Sequence, residues 1–146
     1  MRKVSDLNIA SNIPLPAPAL LLHEIPRSEA QEEFVAESRR QIRDILSRQD
    51  RRFLLIVGPC SIHDTRAGLE YARRLRGLID RAREALFLVM RCYFEKPRTS
   101  IGWKGLIMDP RLDGSDDIPE GLRMARRFLR NPSGSRLPQK SRTPRS

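Results

Sequence analysis

Two stretches of this sequence hold residue types that can do chemistry. The first is Gly58-Pro59-Cys60-Ser61-Ile62-His63-Asp64, and the second runs from Arg91 to Gly105. The second places four cations, Arg91, Lys96, Arg98 and Lys104, within fourteen residues, with Thr99 and Ser100 among them. Arginine grips a phosphate or carboxylate through two parallel hydrogen bonds, while lysine adds a compact charge. Pro97 stiffens the loop, and the hydroxyls and backbone N–H groups supply further donors. Such a loop suits a small, multiply anionic ligand; the competing reading is a solvated basic loop. In the first stretch, Cys60 is open to three roles: nucleophile, metal ligand or small packed side chain, the last being commonest for a free cysteine. His63 makes Cys-x-x-His with it, half of a metal site that needs further ligands. His23 has no motif partner, Cys92 reads as strand packing, and Trp103 reads as a loop anchor.

The elements that must position these residues follow from periodicity. Ser28 with Gln31 forms a capping-box pattern, and Phe34, Val35, Ile42, Ile45 and Leu46 recur at helical spacing to about Arg48. Phe53–Val57 is a continuous apolar run, which predicts a strand buried on both faces. Asp64 can cap a helix over Thr65–Arg83. A second buried strand is expected at Leu86–Met90, extending toward Phe94, and a third helix over Pro119–Arg130. Strands alternating with helices predict an α/β fold with a parallel sheet. Both chemical stretches then follow the carboxyl end of a strand, where parallel α/β folds bind ligands. The expected organisation is an extended Pro-rich arm (1–27), a leading helix (28–50), two β/α units (51–129) and an aberrant, disordered basic tail (130–146).

The chain has 146 residues and a formal net charge of +10. All acidic residues lie at or before Glu120, and half of the net charge comes from residues 130–146. A basic tail invites a nucleic-acid reading, with salt-sensitive binding. Its lack of aromatic residues counts against that reading. Two cysteines are too few for a disulfide framework and fit a reducing, cytoplasmic setting. No run of about 18 apolar residues predicts a membrane span. Residues 13–22 imitate a leader, but Pro14, Pro16 and Pro18 interrupt them.

Residues 55–64 together with residues 90–106 resemble the class I, microbial 3-deoxy-D-arabino-heptulosonate 7-phosphate (DAHP) synthases, and the likeness runs from the arm to about Leu129. The resemblance implies a (β/α)8 TIM barrel with an N-terminal extension, of which this chain would hold only the first portion. It implies condensation of phosphoenolpyruvate with erythrose 4-phosphate, releasing phosphate, as the first step toward chorismate and the aromatic amino acids. It implies a divalent metal with Cys60 as one ligand, polarising the sugar aldehyde. It assigns Arg91 and Lys96 to phosphoenolpyruvate, as the catalytic pair, and Arg98 and Thr99 to erythrose 4-phosphate. Asp6-Leu7-Asn8-Ile9 resembles a region that helps bind an aromatic amino acid effector, and homo-oligomers are implied. The remaining metal ligands are expected on later strands, so the isolated chain is expected to be inactive and poorly folded. The alternatives are a non-catalytic piece that assembles with full-length synthase and, less favoured, a basic nucleic-acid-binding protein.

Overall fold

The computed structural model describes residues 12–96 and 101–131. Helix α1 spans Pro18–Glu24, α2 Glu29–Leu46, β1 Phe53–Val57, α3 Thr65–Ala82, β2 Leu86–Met90 and α4 Ile118–Arg130. The arm is therefore not wholly extended. Proline is tolerated in the first turn of a helix, and Pro18 sits there in α1. After Pro18 no proline interrupts the winding until Pro26. The capping box of α2 forms as expected: Gln31 N donates to Ser28 Oγ at 3.3 Å, and Ser28 N donates to Gln31 Oε1 at 3.0 Å. Asp64 caps α3, its Oδ1 accepting from the backbone N–H of Arg66 at 2.8 Å and of Ala67 at 3.3 Å.

The two strands pair in parallel, with Phe53 opposite Leu86 and Val57 opposite Met90. Alternation along a strand puts Leu55 and Val57 on the same face as Leu86 and Leu88. Those four residues, with Tyr71, Leu75 and Leu78 of α3, line one open apolar groove. On the other face Phe87 is buried, with the Arg52 guanidinium 5.3 Å from its ring centre. Burial on both faces does not hold for β1. Phe53 is 75% exposed and Ile56 61%. A two-stranded sheet leaves an outer edge and much of each face uncovered, although its composition is that of a sheet with layers on both sides. The second strand also ends at Met90 rather than reaching toward Phe94.

The core lies beyond the carboxyl ends of the strands. Ile62, Phe94, Leu106, Ala125 and Phe128 form it, and Phe94 meets Phe128 edge to face at 5.7 Å. Close approach requires two helical glycines. A Cβ on Gly68 would lie 2.8 Å from the Phe128 ring, and one on Gly121 would lie 2.2 Å from the Ile107 carbonyl oxygen. The loops that follow β1 and β2 are thus built on packed α3 and α4. Among the described residues, no helix is long and apolar enough to cross a membrane.

Candidate functional site

The loops after β1 and β2 are stitched together. Arg91 N donates to Val57 O at 2.7 Å, and Ile62 N donates to Tyr93 O at 2.7 Å. At Gly58 a side chain would collide with this arrangement, since a Cβ would lie 2.5 Å from Arg91 O. Ser61 and Ile62 are buried by the junction, while Cys60 and His63 face outward. The Arg91 guanidinium crosses to the first loop. Its Nη1 donates to Pro59 O at 3.2 Å and Cys60 O at 3.0 Å, and its central carbon stands 5.1 Å from the Tyr93 ring centre. Arg91 itself is exposed, so its charge remains at the surface of the site.

The cationic loop is pinched at its base. Glu95 and Gly105 form an antiparallel bridge, and Lys96 N donates to Lys104 O at 2.7 Å. Gly105 has φ +123°, and a Cβ there would lie 2.3 Å from Phe94 O, so only glycine fits. Trp103 anchors the loop as its sequence position suggests: Nε1 donates to Asp109 O at 2.8 Å. The indole also meets His63 edge to face, with ring centres 6.4 Å apart, which links the second loop to the first. Asp109 in turn accepts from the backbone N–H of Asp113 and Gly114, holding the turn that leads to α4. Lys96 is half-buried and Lys104 exposed. Arg98 and Thr99, with Pro97 and Ser100, lie outside the described residues.

The two cysteines differ. Burial pushes the Cys92 thiol up, which suits packing and not nucleophilic attack. Cys60 is exposed. The backbone N–H groups of Arg66 and Ala67 hold the Asp64 carboxyl below its usual range, as a helix cap does. Among the described residues, no three His, Cys, Asp or Glu side chains converge on a point that could hold a metal ion. Cys60 and His63 therefore do not make a metal site by themselves. Sequence reasoning assigned no role to Tyr93 or Asp109. The signal for Tyr93 was its place two residues after Arg91 at the end of a strand.

The DAHP synthetase I family model matches residues 25–133, three quarters of the chain. The chain belongs to this family. DAHP synthetase relatives include the tyrosine-inhibited phospho-2-dehydro-3-deoxyheptonate aldolase of Schizosaccharomyces pombe, 48% identical over 86% of this chain and 34% of that one. The Tyr-sensitive enzyme of Escherichia coli is also 48% identical, over 86% of this chain and 35% of its own length. The aldolase of Amycolatopsis methanolica is 50% identical over 86% of this chain and 62% of that protein. A solved structure of the Francisella tularensis aldolase superposes with a TM-score of 0.82 at 43% identity, covering 90% of this chain and 38% of that one. This chain thus spans about a third of the length of most of these relatives. The family is one of enzymes, and both chemical stretches lie inside the matched region.

Proposed function

We propose that this chain supplies part of an active site that condenses phosphoenolpyruvate with erythrose 4-phosphate, giving DAHP and inorganic phosphate. On this reading residues 51–129 are the first two β/α units of a (β/α)8 barrel, with the arm at 1–27, the leading helix at 28–50 and an aberrant tail from 130. Most of that tail lies outside the described residues. The observation that carries the reading is the pairing of two loops, one bearing Cys60 and the other Arg91 and Lys96, within the matched region.

Both substrates are anionic, so bringing them together costs repulsion that cations must offset. Arg91 and Lys96 hold phosphoenolpyruvate through its carboxylate and phosphate. Arg98 and Thr99 hold the sugar phosphate. Carbon 3 of phosphoenolpyruvate then bonds to the aldehyde carbon, water adds at carbon 2, and phosphate leaves. Cys60 is proposed as one ligand of a divalent metal. The described residues do not complete that donor set, so no step is assigned through it. The relatives named as tyrosine-inhibited, Tyr-sensitive and Phe-sensitive support an aromatic amino acid effector here too. Its proposed contact, Asp6 to Ile9, lies outside the described residues. A homo-oligomer and a cytoplasmic location go with this reading.

Calorimetric titration of the chain with phosphoenolpyruvate tests the site. Arg91→Gln and Lys96→Gln should each weaken binding about 10-fold or more, the worth of a charge-assisted hydrogen bond. Unchanged affinity in both variants, or no binding by the parent chain, would sink the assignment. The chain alone should release no phosphate from the two substrates. The uncovered apolar β1 favours a second reading, a non-catalytic piece that assembles with full-length synthase. Co-elution with such a synthase on gel filtration supports it, and separate elution removes it.

A further inference from the structure

We infer that Tyr93 is a positioning residue that presents Arg91 to the anionic ligand, an inference that rests on the substrate reading above. The two residues are two apart in the segment just beyond β2, and their side chains meet there. The guanidinium carbon lies 5.1 Å from the centre of the Tyr93 ring. Ile62 N fixes the Tyr93 backbone by donating to its carbonyl at 2.7 Å, so the ring hangs from an anchored point. Nη1 of Arg91 is meanwhile committed to the carbonyls of Pro59 and Cys60. Among the described residues, no other acceptor engages the guanidinium. It is therefore oriented from two directions, with its remaining N–H groups left for an oxyanion.

The chemistry of the support matters. A carboxylate beside Arg91 would orient it equally well but would compete with the substrate for its charge. A ring face attracts the cation through its quadrupole and carries no net charge. Backbone carbonyls likewise orient the guanidinium without neutralising it. Arginine otherwise gives up much rotamer freedom on binding, and a pre-oriented guanidinium has less to lose. The Tyr93 side chain is 40% exposed and lies outside the core cluster, so packing does not explain an aromatic residue here. Among the described residues its hydroxyl has no hydrogen-bond partner, which assigns the role to the ring.

Two measurements on the full 146-residue chain test this. The first needs no ligand. Proton NMR should show the Arg91 side-chain δ protons shifted upfield by the ring, in the parent chain and in Tyr93→Phe, but not in Tyr93→Leu. Absence of that shift in the parent chain overturns the inference outright. The second is titration with phosphoenolpyruvate. Tyr93→Phe should bind like the parent, while Tyr93→Leu should bind about three- to tenfold more weakly. Equal binding by parent and Tyr93→Leu overturns the inference. If Tyr93→Leu loses helical circular dichroism, Tyr93→Met replaces it in both measurements. A parent chain that shows the ring shift yet does not bind phosphoenolpyruvate overturns the substrate reading, and the positioning role falls with it; the intact shift identifies that cause.

Discussion

Gly105 and Gly114 both hold positive φ, at 123° and 73°, yet their surroundings differ. A Cβ at Gly105 would run into the backbone of Phe94 and Glu95, whereas one at Gly114 would meet open space. Gly114→Ala should therefore cost only the conformational penalty, about 1 kcal/mol. Gly105→Ala adds a backbone collision at the base of the cationic loop and should cost at least about 2 kcal/mol more. Urea unfolding of both variants checks the order, and equal midpoints would contradict it. The placement of Cys60, Arg91 and Lys96 beyond the carboxyl ends of the strands was legible in the sequence, because the apolar runs that end before them are written there. The carbonyl contacts of Arg91 were not, because they depend on the register that sets Met90 beside Val57. A one-residue slip would move every side chain of a strand to its other face.

Helix α4 is the element that joins the arm to the site loops. Gly121 backs onto Ile107, and Phe128 packs on Phe94 and Gly68. Farther along the chain Arg123 pairs with Glu24 at 2.8 Å, Arg126 Nε donates to Ile25 O at 2.7 Å, and Gln31 Nε2 donates to Arg130 O at 2.8 Å. Phe128→Ala removes the largest contact of a five-residue core and should cost about 3–5 kcal/mol. Trp103 packs against that cluster, so its fluorescence should red-shift in the variant; an unmoved spectrum and urea midpoint would show that α4 does not hold the loops. The apolar runs made both strands legible, β1 with its observed bounds and β2 with its observed start. The turn of helix at Pro18–Glu24 was not, because three prolines in five positions outweigh the leucines that follow them. The missing extension of β2 has a similar origin. Among the described residues no strand is there to pair with beyond Met90, and Tyr93 bonds instead to the loop at Ile62.

At the scale of the whole molecule, β1 carries a sequence suited to burial on a surface that is not buried. Phe53, Leu55 and Ile56 are all exposed, and among the described residues the sheet contains two strands. Exposed apolar side chains along an unpaired strand edge drive association. Sedimentation velocity should show the chain self-associating as concentration rises. Ile56→Lys should reduce this without altering helical content, since Ile56 is already 61% exposed. A parent chain that stays monomeric at high concentration would contradict this. The composition revealed the strand and its appetite for cover but could not reveal how much cover it receives, because that depends on neighbours beyond the segment itself. The same strand has a consequence for how the chain behaves in salt. Phe53–Val57 is an uncharged pentapeptide of high β-propensity, the type that seeds cross-β stacking. Two gatekeepers flank it: the exposed charge of Arg51 before it and the ring of Pro59 after it. Raising ionic strength from about 0.15 to 1 M shortens the Debye length from about 8 to 3 Å, which disarms the arginine and leaves the proline untouched. Salt, the usual remedy for a basic protein that sticks to polyanions, is here the condition that leaves the amino end of β1 least guarded against such stacking.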